Sequence, residues 1–71
     1  MLLYNQHEPT VEVGDIIEYN CLGVRDSGKV KELQWFINRW EVIFESNKGN
    51  GEICAPEHNC QVKSRGYRDA R

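Results

Sequence analysis

Apolar and polar residues alternate along much of this chain with a period of two. From Val13 to Leu22 the residues Val13, Ile17, Tyr19 and Cys21 share one parity, Glu18 and Asn20 hold the other, and Asp15 is the exception. That alternation, rich in β-branched and aromatic residues, predicts a strand with one buried face, entered through the turn at Gly14-Asp15. Gly23 to Gly28 reads as a long loop, because two glycines bracket Asp26 and Ser27. Lys29 to Ile37 carries Val30, Leu33, Trp35, Phe36 and Ile37. The step from Val30 to Leu33 breaks period two, and either a β-bulge or a short helical turn repairs it. A helix over 29–40 would align Val30, Leu33, Ile37 and Trp40 and competes with the strand. The β-forming composition and the poor cap at Gly28 favour the strand.

After a turn at Asn38-Arg39, Trp40 to Ser46 alternates clearly, with Trp40, Val42 and Phe44 assigned to the core and Glu41, Ile43 and Glu45 facing out. Asn47 to Gly51 is rich in residues that accept positive φ and predicts a chain reversal. Glu52 to Ala55 is a short strand ended by Pro56, which cannot donate to a ladder. Pro56 to Asn59 suits one helical turn, and Cys60 to Lys63 a last strand. Five short strands with no true helix predict an all-β chain folded as a small closed or half-closed barrel, with a single 3₁₀ turn before the last strand. The domain plan that follows is an N-terminal segment 1–12 that packs on or flanks the barrel, a barrel over 13–63 and a basic tail over 64–71.

A chain of 71 residues allows one small domain with an economical core. No apolar run reaches the roughly 20 residues that span a bilayer. Met1-Leu2-Leu3 is interrupted at once by Asn5, Gln6, His7 and Glu8, unlike a signal peptide. The expectation is a cytoplasmic protein with no membrane contact. The net charge of −2 divides unevenly: residues 1–22 hold four carboxylates and no Lys or Arg, while 63–71 hold Lys63, Arg65, Arg68 and Arg71 against Asp69. A pI of about 5.6 argues against nucleic acid as the main partner, since phosphate contacts demand a basic excess.

The three cysteines cannot complete a disulfide framework. Cys54, His58 and Cys60 lie within seven residues, with Cys21 as a conceivable fourth zinc ligand. Cys-x3-His-x-Cys is not the short hook that zinc sites use, so buried, unligated thiols are expected and no cofactor is assigned. His7 and His58 lack the partners a nucleophilic pair needs, and Gly49-Asn50-Gly51 lacks the context of a phosphate loop. No catalytic residue is assigned.

The series Gly14-Asp15-x-Ile17-x-Tyr19, Gly28-x-Val30, Trp40-x-Val42-x-Phe44, Ile53-x-x-Pro56 and Val62 resembles the small SH3-like barrel, in its KOW-type and stand-alone versions. The likeness covers about residues 13–63. It implies strands around a long first loop, a 3₁₀ turn after a proline and a closing strand, in a module of the kind found in phage and plasmid genomes. The family's enzyme, a plasmid-borne dihydrofolate reductase, uses a Val-Gln-Ile-Tyr stretch. Here Glu52-Ile53-Cys54-Ala55 stands in its place, so that activity does not carry over. Family members bind RNA, DNA or protein through loops and one sheet face, and peptide binders use an aromatic groove beside the first loop.

These readings converge on a non-enzymatic binding module. The expected partner is a protein, met by the 23–28 loop with Arg25 and Asp26, and by Trp35, Phe36 and Arg39. Because Trp35 and Phe36 are adjacent, a strand sends them to opposite faces and leaves one of them exposed unless Leu2, Leu3 or Tyr4 folds back over it. The phage-like resemblance implies a modulator or inhibitor of a host protein. Outward-facing Ile43 suggests a homodimer. The alternative is nucleic-acid binding through Lys29, Lys31, Lys63, Arg65 and Arg68.

Overall fold

The computed structural model describes residues 8–66. It is all-β, with β1 (Ile16–Cys21), β2 (Val24–Phe36), β3 (Arg39–Ser46), β4 (Glu52–Pro56), the 3₁₀ turn η1 (Glu57–Asn59) and β5 (Cys60–Ser64). The strands form one antiparallel sheet in the order β4-β3-β2-β1-β5. No ladder joins β4 to β5, so of the closed and half-closed forms expected the sheet takes the open one. Pro56 explains the break: it has no N–H to donate, it ends β4, and at φ −62° it starts η1, which carries the chain round to β5. Leu2, Leu3, Tyr4, His7 and Arg68 lie outside the described residues.

The expected loop at 23–28 is a correction. β1 turns straight into β2 through Leu22-Gly23, with φ of 52° and 84°, and Cys21 pairs with Val24 across the turn. The residues that resemble a loop lie in the ladder because their partners are remote in sequence. Asp26 is buried; its carboxylate accepts from Ser46 Oγ at 2.7 Å, from the Ser27 N–H at 2.6 Å and from Asn50 Nδ2 at 3.2 Å. Gly28 packs against β3 so closely that a Cβ there would lie 1.8 Å from the Glu45 carbonyl oxygen. Only glycine fits.

The break in periodicity at Val30–Leu33 is a β-bulge: Val30 pairs with Phe44 and Glu32 with Ile43, leaving Lys31 as the extra residue. The helical alternative over 29–40 is overturned. The bulge keeps Leu33 and Trp35 on the same face as Val30. The buried core is Val11, Ile17, Val30, Val42, Phe44 and Ala55, flanked by Tyr19, Leu33, Ile53, Cys60 and Val62. Each large side chain so buried contributes on the order of 1.5–3 kcal/mol.

The start of the first strand also differs from expectation. β1 begins at Ile16, Val13 is exposed, and Asp15, the exception to the parity, is the buried residue. Its carboxylate ties both ends of the described chain together. It accepts from the Glu12 N–H at 2.9 Å, the Gly66 N–H at 3.0 Å and Arg65 Nη1 at 2.8 Å.

Candidate functional site

β2 outruns its neighbour. β1 pairs with it over Val24–Lys29, whereas β3 pairs with it over Gly28–Phe36. The far end of β2 and the start of β3 therefore project as a hairpin arm. A two-residue turn, Ile37-Asn38, closes the arm, and Ile37 stands at φ 61°. A β-branched residue at positive φ is an outlier, with a cost of order 1–3 kcal/mol. Its side chain is 66% exposed and that of Phe36 55%.

The register fixes the arm's chemistry. Trp35 lies opposite Trp40, and their rings meet edge to face with centroids 5.3 Å apart. Trp40 is thus half-buried beside Trp35 and outside the buried core, where the sequence had placed it. The pair stiffens the arm, contributing about 0.5–1.5 kcal/mol beyond its buried area. On the opposite face Phe36 lies beside Arg39, whose Nε donates to Glu41 Oε2 at 2.6 Å. Gln34, Phe36, Arg39, Glu41 and Cys54 line a recess of about 250 Å³ on this face. The Cys54 thiol donates to Glu41 Oε1 at 3.4 Å. Burial first, then the Glu41 carboxylate, raises its pKa. The raised pKa lowers the share of thiolate at neutral pH and so slows this thiol as a nucleophile.

Of the five residues expected to meet a protein, Trp35, Phe36 and Arg39 come together on this arm. Arg25 and Asp26 do not join them. They sit near the other end of β2, roughly 35 Å back along the strand's path at about 3.3 Å per residue, and Asp26 is internal. The expected long first loop is instead the two-residue turn Leu22-Gly23, so no aromatic groove can be built beside it there. Sequence reasoning missed Ile37 as a tip residue. The Phe36-Ile37 doublet before Asn38 was the available signal.

Of the four described basic residues of the alternative, three face carboxylates. Lys31 Nζ lies 2.6 Å from Glu52 Oε2, which raises its pKa, Lys63 Nζ 3.6 Å from Glu18, and Arg65 2.8 Å from Asp15. Lys29 lies exposed between Ile16 and Glu45 in the ladders. Cys21 and Cys60 are half-buried and Cys54 is exposed, all three as free thiols. Among the described residues no three His, Cys, Asp or Glu side chains gather as a metal site. Burial, with Glu57 and Glu41 adding, pushes the Cys60 thiol up to about 11. His58 sits exposed on η1. Among the described residues no helix is long and apolar enough to cross a membrane. No family model, curated protein or solved structure matches the chain.

Proposed function

We propose that this chain is a cytoplasmic, non-enzymatic SH3-like module that binds another protein through the tip of the β2–β3 arm. The observation that carries the reading is the pair Phe36 and Ile37, both more than half exposed, on a turn whose backbone is strained by the residue it displays. An exposed apolar tip costs solubility and the positive φ costs stability. Both costs are offset when the tip enters a partner's pocket. The adjacent recess, with the Arg39–Glu41 pair on its wall, supplies directional polar contacts around that apolar anchor. A modulator or inhibitor of a host protein, of the type found in phages, fits a module this small with an exposed apolar tip. The acidic overall balance, with a pI of about 5.6, supports a protein partner over nucleic acid.

The test compares proteins retained from source-cell lysate by the native chain and by Phe36→Ser/Ile37→Asn. The variant replaces two side chains that are more than half exposed and is first checked for native folding by circular dichroism. A partner retained by the native chain and lost with the variant supports the reading; identical catches refute it. Sedimentation over a concentration series gives the remaining outcome. A self-association abolished by the same variant identifies the partner as a second copy, as a homodimer through this arm.

A further inference from the structure

β4 is an open edge of the sheet. It pairs with β3 on one side, and among the described residues no backbone hydrogen bond reaches its other side. The register decides which of its main-chain groups face out. The Ser46 N–H donates to the Gly51 carbonyl at 2.8 Å, so the pair next to Glu45–Glu52 is a bonded one. Bonded and non-bonded pairs alternate in an antiparallel ladder. Ile53 and Ala55 therefore bond to β3, while Glu52, Cys54 and Pro56 turn their main-chain groups outward. Pro56 suits that place, since a strand tolerates proline where its nitrogen faces away from the ladder. The outward row is thus the N–H and C=O of Glu52, the same two groups of Cys54, and the C=O of Pro56.

This row is complementary to itself. We infer that a second copy of the chain adds antiparallel to β4 across a two-fold axis at Cys54, so that the two sheets continue into one. Cys54 then exchanges both bonds with its counterpart, and each Glu52 N–H meets the Pro56 carbonyl of the other copy. Every outward N–H gains an acceptor, and only the Glu52 carbonyls stay on water. Ile53 comes to lie opposite Ala55, and the exposed, uncharged Cys54 side chain opposite itself. A register centred on Ile53 forms as many bonds but sets the two Glu52 carboxylates diagonally across the strands, where like charges repel. The axis at Cys54 moves them to the two ends. The other edge of the sheet is protected: β5 bulges at exposed Lys63, where its register with β1 shifts, and a bulge and a lysine both deter strand addition. β4 has neither between Glu52 and Pro56. Antiparallel addition points the two β2–β3 arms in opposite directions, so the dimer presents the arm twice. A contact this short belongs to the weak, transient class of interfaces.

Sedimentation equilibrium over a series reaching millimolar protein, with a phosphine reductant to prevent disulfides, tests the contact. The expected result is a reversible dimer in the native chain, in Cys54→Ser and in Phe36→Ser/Ile37→Asn. Cys54→Lys sets two ammonium groups together on the axis, and Cys54→Pro removes the central N–H groups while sparing the bonds to β3. Each should weaken association by about tenfold or more, equivalent to about 1.4 kcal/mol. Cys54 is exposed beside Glu41, so the lysine variant keeps its fold, which circular dichroism checks. Amide hydrogen exchange supplies the second measurement. Glu52 and Cys54 should exchange more slowly in concentrated than in dilute protein, with Ile53 and Ala55 unchanged. The inference is overturned by a chain that stays monomeric throughout, by masses above two chains, or by native association in Cys54→Lys. Concentration-dependent protection at Gln61 to Lys63 in place of Glu52 and Cys54 would also overturn it. So would an association lost in Phe36→Ser/Ile37→Asn and kept in Cys54→Lys, which places the contact at the arm.

Discussion

Leu22→Asn should stabilise this protein, against the usual direction of a Leu-to-polar change. Leu22 is 98% exposed, so replacing it forfeits almost no buried area. It stands at φ 52° with Gly23 at φ 84°, the pattern of a type I′ hairpin turn, in which Asn-Gly is the favoured pair. A non-glycine residue in the left-handed region costs about 1–2 kcal/mol, and asparagine recovers part of that through its local hydrogen bonds. The expected gain is about 1 kcal/mol. In a domain of this size that raises Tm by roughly 4–8 °C. With a urea m-value of about 1 kcal/mol/M it moves the unfolding midpoint up by about 1 M. Gly23→Ala is the companion measurement. A Cβ at Gly23 meets no heavy atom within 4 Å, so only backbone conformation is at stake, and alanine should destabilise by about 1 kcal/mol. Two substitutions on one exposed turn, neither touching a neighbour, should thus move Tm in opposite directions. Equal shifts, or a lower Tm for Leu22→Asn, would refute the conformational argument.

Gly28→Ala should leave little folded protein by circular dichroism, because its Cβ would lie 1.8 Å from the Glu45 carbonyl oxygen and 2.7 Å from the carbonyl carbon, both backbone atoms that cannot swing aside. Asp15→Ala removes the acceptor for the Glu12 and Gly66 N–H groups and for Arg65, and should cost about 3–5 kcal/mol in urea unfolding. Asp26 has its pKa lowered from 3.8, chiefly by the Ser46 hydroxyl and against the effect of burial. Its contribution is therefore complete above the unfolded value and is lost as pH falls through the folded one. Native protein should show an acid loss of stability below about pH 4 that is shallower in Asp26→Asn. Alkylation by iodoacetamide at pH 8 should modify exposed Cys54 before Cys60, whose thiol stays protonated until about 11; mass-spectrometric mapping reads the order.

The sequence made the five strands legible because their signals are local. Alternation marks Trp40 to Ser46, proline marks the end of β4 and the start of η1, and the break after Val30 marks a bulge. Its errors have a common physical origin in pairings between distant residues. Asp26, Ser27 and Gly28 look like loop residues until Ser46, Asn50 and the β3 backbone supply what they need across the sheet. Asp15 breaks a hydrophobic parity for the same reason: its partners Arg65 and Gly66 lie at the far end of the described chain. Val11 sits in a stretch without periodicity, and only the fold reveals that it is buried. At the candidate site, adjacency showed that Trp35 and Phe36 point to opposite faces. The length of β2, which separates Arg25 from the arm, depended on recognising that 23–28 is strand.

The central claim is that the β2–β3 arm tip meets a protein. A photo-crosslinking amino acid placed at Ile37, and in a parallel protein at Glu45 on the outer sheet face, tests it most directly in living source cells. The account predicts a discrete protein adduct from position 37, absent from position 45 and lost when Phe36→Ser is added. Adducts of equal yield from both positions, or adducts to nucleic acid from position 37, would contradict it.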